Sequence, residues 1–259
     1  KVHLSVDDSS AEYLKGIQGV ELHHVKGVHP AGNVGVQIHK LDPINRGERV
    51  WTVGVEDVAT IGNVFLTGEY RAERTVAVVG SEAENRKYYQ TIIGANVADL
   101  IGQAAEGTRI ISGDVFTGTQ LSNNQYLGFF ENELTLIPEG DNYRIFGWLP
   151  FTYNNIHSHS RTSLSWLFPN KKYTPTTNLN GEERALVVTG EMEEVLPMDI
   201  YPMQLIKACM AGDIEKMENL GIYEVAPEDF ATVEYVNTSK IEIQEVIRLG
   251  LDLMITEVG

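Results

Sequence analysis

Apolar and polar positions alternate from the first residues of the chain. Val2, Leu4 and Val6 are separated by His3 and Ser5, the period of two that puts side chains on opposite faces of a strand. Ser9-Ser10-Ala11-Glu12 has the spacing of a capping box and predicts a short helix ending at Lys15. Residues 20–25 predict a second strand. Pro30 and Gly32 interrupt the chain, and residues 34–41 then take helical spacing. A third strand is predicted over 49–55. A helix follows over 56–66, with Val58, Ile61, Val64 and Phe65 in register and Gly68 after its end. Strands alternating with helices predict an α/β layer over residues 1–70.

The pattern changes after that. Residues 75–79, 88–93, 109–113 and 133–137 read as short strands, and 142–148 closes the segment. A single short helix is predicted over 96–102, with Asn96 as N-cap. Short strands around one helix predict an α+β unit over 71–150, of the β-grasp kind. Residues 151–180 are polar with scattered aromatics and read as a long connection; such segments are often functional. Residues 181–259 return to helical spacing. Pro202 opens a helix to Ala211, Asp213 caps residues 214–220 before Gly221, and 227–236 is a further helix. Ile243, Val246, Ile247, Leu251, Met254 and Val258 form one stripe of a last helix. The fold class is therefore multidomain, α/β followed by α+β and a helical domain.

Charge sharpens this division. The 259 residues carry 20 Lys+Arg and 36 Asp+Glu, a formal charge of −16. Residues 181–259 hold 17 acids and 5 bases, whereas 151–180 hold no acid. Nucleic acid is excluded as a main partner, because phosphate binding requires clustered Lys and Arg. The lone Cys209 excludes an internal disulfide and any iron–sulfur cluster or multi-thiolate zinc site. No apolar run is long enough to span a bilayer. The chain opens at Lys1 directly on a strand pattern, so it reads as a fragment lacking its N-terminal region.

Most chemical signatures are missing. No glycine has another two positions away, which removes the G-x-G-x-x-G dinucleotide turn. The G-x-x-x-x-G-K-S/T phosphate loop, the G-x-S-x-G elbow, H-E-x-x-H and the EF-hand loop are also missing. Four features remain. His157-x-His159 lacks the third and fourth ligands a metal needs. His23-His24 points to opposite faces of a strand and is no chelating pair, so no metal site is expected. Cys209 sits on an apolar helix face and reads as core. The aromatics Trp148, Phe151, Tyr153, Trp166, Phe168 and Tyr173 read first as core or interface.

Three strings carry a resemblance: His29-Pro30-Ala31-Gly32-Asn33-Val34-Gly35-Val36-Gln37-Ile38-His39, Arg109-Ile110-Ile111-Ser112-Gly113-Asp114-Val115-Phe116-Thr117-Gly118-Thr119, and Leu196-Pro197-Met198-Asp199-Ile200-Tyr201-Pro202. In this order and spacing they resemble the alpha-chain family of the sodium-translocating NADH:quinone reductases. That family is similar to the C component of Rnf electron-transport complexes and to the NADH-binding flavoprotein of respiratory complex I. The resemblance implies a Rossmann-like remnant (1–70), a soluble-ligand-binding β-grasp domain (71–150), a connection (151–180) and a helical domain (181–259) like an α-helical ferredoxin without its clusters.

In the Rnf relatives two C-x-x-C-x-x-C-x-x-x-C-P runs ligate two [4Fe–4S] clusters. The corresponding positions here hold Leu186, Thr189, Met192 and Leu196, then Pro227, Phe230, Val233 and Asn237. None is cysteine, so the resemblance implies a scaffold whose ligand positions became ordinary packing. It further implies a redox-silent peripheral subunit on the cytoplasmic side of the bacterial inner membrane. Such a component docks on the membrane part of the complex and binds no cofactor in this fragment. NADH, flavins, iron–sulfur centres and quinone would be handled in other subunits. Ubiquinone or menaquinone is a further candidate ligand, with Trp148, Phe151, His157, His159 and Arg161 as its contacts. The competing readings are an unrelated β-grasp ligand-binding protein and a purely structural assembly subunit.

Overall fold

The computed structural model describes residues 1–14, 16–140, 142–147, 149 and 165–258. In chain order its elements are β1 (His3–Asp7), β2 (Glu21–Val25), α1 (Val34–Leu41), α2 (Val55–Thr67), β3 (Glu73–Val79), β4 (Lys87–Ile92), α3 (Val97–Ile101), β5 (Thr108–Ser112), β6 (Thr119–Leu121), β7 (Glu133–Pro138), α4 (Pro202–Ala211), α5 (Ile214–Asn219), α6 (Ala231–Val236) and α7 (Ile243–Val258). They fall into two compact units. One is Val53–Glu182; the other joins Lys1–Thr52 to Glu183–Gly259.

The Val53–Glu182 unit is built on a five-stranded mixed sheet in the order β4-β3-β7-β5-β6. β3 and β7 run parallel; the other neighbours are antiparallel. Strand alternation explains its core. Val76 and Val78 of β3 face the same side as Leu134 and Leu136 of β7, and Val97 and Leu100 of α3 pack against them. Asn96 does cap α3: its Oδ1 accepts the Ala98 N–H at 2.8 Å. β6 escapes the apolar pattern because it spans only three residues and owes its form to pairing with β5.

Helix α2 has no buried side chain, and Val55, Val58, Phe65 and Leu66 are exposed. Its first turn is held electrostatically. The buried Arg74 guanidinium lies 2.9 Å from Asp57 and 3.2 Å from Glu56, and donates to Asn132 Oδ1 at 2.8 Å. Residues 48–54 form no helix or strand, which corrects the strand expected over 49–55. Alternation predicts a strand only where a neighbouring edge is free to pair, and Val50, Trp51 and Val53 are exposed instead.

In the discontinuous unit β1 and β2 form a parallel pair, with His3 opposite Glu21 and Ser5 opposite His23. Between them the predicted short helix is a single 3-10 turn, Ala11–Leu14. The helical part buries Met203, Leu205, Ile206, Met217, Ile222, Phe230, Ile243 and Ile247. The α7 stripe faces this core as its spacing requires. The helix expected over 227–236 is a 3-10 turn, Pro227–Phe230, running into α6. Among the described residues no helix is long and apolar enough to cross a membrane.

Candidate functional site

Two of the three motif strings meet in the discontinuous unit. Val36 of α1 is buried in the same core as Met198. One turn further on, His39 joins the strings directly. Its Nε2 accepts the Asp199 N–H at 3.0 Å, so the ring proton sits on Nδ1, 2.8 Å from Glu224 Oε2. Asn33 donates to the Glu228 carbonyl at 3.2 Å. Asp229 lies fully buried beside Gly35. Its Oδ2 accepts the Ala226 N–H at 2.9 Å, and Oδ1 has no hydrogen-bond partner. Burial pushes the Asp229 carboxyl up to about 6, helped by Glu228 and opposed by the Ala226 hydrogen bond and His39. This cluster organises α1 on the 224–229 segment. It has a carboxylate–imidazole pair but no nucleophile, and His39 is nearly enclosed. Its geometry is that of a structural junction.

The eight positions matched to cluster ligands surround the same core. Met192, Leu196, Pro227, Phe230, Val233 and Asn237 are buried, Leu186 is half-buried against the core, and Thr189 is exposed. Phe230 and Val233 have no exposed surface at all. The buried amide of Asn237 organises a turn: its Oδ1 accepts the Ser239 N–H at 2.9 Å and its Nδ2 donates to the Ile241 carbonyl at 3.3 Å. Ser239 then fastens this turn to residues 184–185 through the Ala185 carbonyl and the Arg184 N–H.

Trp148, Phe151, His157, His159 and Arg161 lie outside the described residues, as does Tyr153. Of the other aromatics, Trp166 and Phe168 are more than half exposed, and the Lys171 ammonium lies over the Tyr173 ring at 5.0 Å. Cys209 is packed against the helical core, as expected, and burial pushes its thiol up to about 11. That is the setting of an inert cysteine.

One constellation was not legible from local spacing. His3, Glu21 and His23 bring one donor atom each to within 4.8 Å of the others. The adjacent pair His23-His24 divides as predicted: His24 turns away toward Asp8, 3.3 Å distant. The signal lay in Glu21-x-His23, which shares one strand face, but its third member comes from a strand whose register the sequence does not reveal.

The Arg109 string serves the other unit. Arg109 makes a two-pronged ion pair with Glu139, both contacts 2.6 Å, which holds the Glu139 carboxyl below the usual range together with the Thr177 hydroxyl. Asp114 Oδ1 accepts the Phe116 and Thr117 N–H groups, fixing the turn between β5 and β6.

Residues 1–70 match the family model described as the NqrA second alpha/beta domain, and residues 75–123 match the NQRA C-terminal domain. Similar curated proteins carry the name of the NqrA component of the Na(+)-translocating NADH-quinone reductase. The one from Cellvibrio japonicus is 39% identical over 87% of this chain and 51% of its own length. That from Saccharophagus degradans is 36% identical over 97% of this chain and 57% of its own, and that from Neisseria meningitidis 32% over 97% and 57%. The chain thus spans about half the length of the curated relatives it matches. On the strength of both domain matches and of identity sustained along nearly its whole length, this chain belongs to the NqrA family, the alpha chains of the Na(+)-translocating NADH-quinone reductases.

Proposed function

We propose that this chain is the redox-silent part of a peripheral subunit in a sodium-pumping respiratory NADH:quinone oxidoreductase, where it docks other subunits rather than carrying electrons. The observation that carries this reading is the state of the eight cluster-ligand positions. An iron–sulfur centre needs thiolates converging on a cavity. Met192, Leu196, Phe230 and Val233 instead fill one packed core. The chain's single thiol, Cys209, is none of the eight.

The finer architecture follows the same reading. The sheet order β4-β3-β7-β5-β6, with parallel β3 and β7 at its centre, supports a β-grasp domain. The parallel β1–β2 pair supports a Rossmann-like remnant, and the 186–258 core a ferredoxin scaffold without its clusters. Exposed apolar residues on α2 suit a surface covered by another subunit. In the assembled complex that partner is a membrane subunit on the cytoplasmic face, and NADH, flavin and iron–sulfur chemistry belongs to other subunits.

Direct quinone contact is the alternative role, through Trp148, Phe151, His157, His159 and Arg161. Equilibrium binding of a ubiquinone analogue to the purified chain separates the two. Docking alone predicts only unsaturable partitioning. Saturable one-to-one binding, lost on alanine substitution of His157, His159 and Arg161, would move the chain into the quinone site.

A further inference from the structure

We propose that His3, Glu21 and His23 form a binding site for a divalent transition-metal cation of the zinc type, clasping β1 to β2. The inference is independent of the respiratory role above and rests on three geometric facts. First, the parallel register sets His3 opposite Glu21, and the two-residue strand period brings His23 to the same face. Second, the donor atoms already converge. His3 Nδ1 lies 2.9 Å from His23 Nε2 and 3.6 Å from Glu21 Oε2. Two ligands each about 2.0–2.1 Å from a tetrahedral zinc stand roughly 3.3 Å apart, so these separations straddle the required one. Third, the ligands sit on paired strands, not on a free loop, which limits the ordering that binding demands.

The donor set selects the cation. Two imidazoles and one carboxylate are a recurrent three-ligand zinc set, with a fourth position left for water. Glu21 is about half exposed (54%), so solvent reaches that position. Imidazole nitrogens are poor ligands for sodium, so the site is not a station on a sodium path. Without metal, the two rings make an N–H···N hydrogen bond, and the bridging proton must leave when a cation takes its place. Lys1 Nζ, 3.9 Å from Glu21 Oε1, opposes the cation. Its side chain is 70% exposed and is free to swing away.

The test is a zinc titration of the chelator-stripped chain at pH 7.5 against a chromophoric competitor. One equivalent bound at micromolar or tighter affinity is expected. His3→Ala and His23→Ala should each weaken it about a hundred-fold or more, since even losing a partner outside the ligand set costs roughly 10–100-fold. His23→Gln, closer in shape, should act likewise, and far-UV circular dichroism without metal verifies that each variant is folded. His24→Ala, on the opposite strand face, and the double variant His157→Ala/His159→Ala should bind as the parent does. Retention of the tight equivalent by folded His3→Ala and His23→Ala overturns the proposal. So does loss of it in the His157/His159 variant, or binding only at millimolar zinc. With Co(II) the spectrum should carry no thiolate charge-transfer band; such a band would put the metal on Cys209 and refute the site.

Discussion

The carboxylate of Asp229 occupies the space that a side chain at position 35 would need: a Cβ built on Gly35 would fall 2.1 Å from Asp229 Oδ2. Helix α1 can therefore lie against the 226–229 turn only with glycine at that point. Gly35→Ala should force the two segments apart and cost about 1–3 kcal/mol, the usual range for overpacking a dense site. Hydrogen exchange at α7 amides, which report on the same core, should quicken accordingly, while β3 amides of the other unit remain unchanged.

Asp229 also imposes a pH dependence. Its carboxyl titrates near 6 in the fold and near 3.8 when unfolded. Between those values the folded chain holds a proton that the unfolded chain has released. Raising the pH from 4 through 6 removes that proton and lowers stability, by about 2–3 kcal/mol once Asp229 is fully ionised. Below pH 4 both states are protonated and the dependence vanishes. Buried Glu234, also shifted upward, adds to the same trend. Asp229→Asn keeps an acceptor for the Ala226 N–H and removes the charge. The variant should gain stability over the parent above pH 6 and match it near pH 4, as read from urea midpoints at the two pH values.

Arg74 is the anchor of α2. Removing it leaves Asp57 and Glu56 without their buried countercharge and Asn132 without its donor. Breaking a fully buried pair costs roughly 3–5 kcal/mol; because both acids reach solvent, Arg74→Met should cost about 2–3 kcal/mol. Proteolysis within residues 53–68 should accelerate before the sheet itself unfolds.

Cys209 should behave as a packing residue. A Cβ at Gly250 would lie 2.6 Å from its Sγ, so α4 and α7 approach through this glycine. With its thiol held near 11, Cys209 should react with a disulfide reagent at pH 8 far more slowly than in urea-unfolded chain. Gly250→Ala should wedge the helices and speed that reaction.

Much of the local structure was legible because periodicity reports burial directly. Helix α4 begins and ends where Pro202 and Gly212 place it, and the α7 stripe is the face that packs. What failed depended on partners. The alternation over 49–55 found no strand to pair with, and three-residue β6 exists only because β5 lies beside it. That residues 1–52 pack with 183–259 is a tertiary fact that no local composition encodes. The candidate sites divide in the same way. The substituted cluster positions were legible because each is a residue at a known offset. The His39–Asp199 contact spans 160 positions and His3–His23 needs a strand register, so neither could be read from spacing.

The central claim is that packed side chains stand where iron–sulfur ligation would otherwise be built, leaving this chain without an electron carrier. Quantifying iron, acid-labile sulfide and flavin per mole of the purified chain tests it most directly. The account predicts a colourless protein with all three far below one equivalent. Stoichiometric iron with sulfide, or a tightly held isoalloxazine, would contradict it.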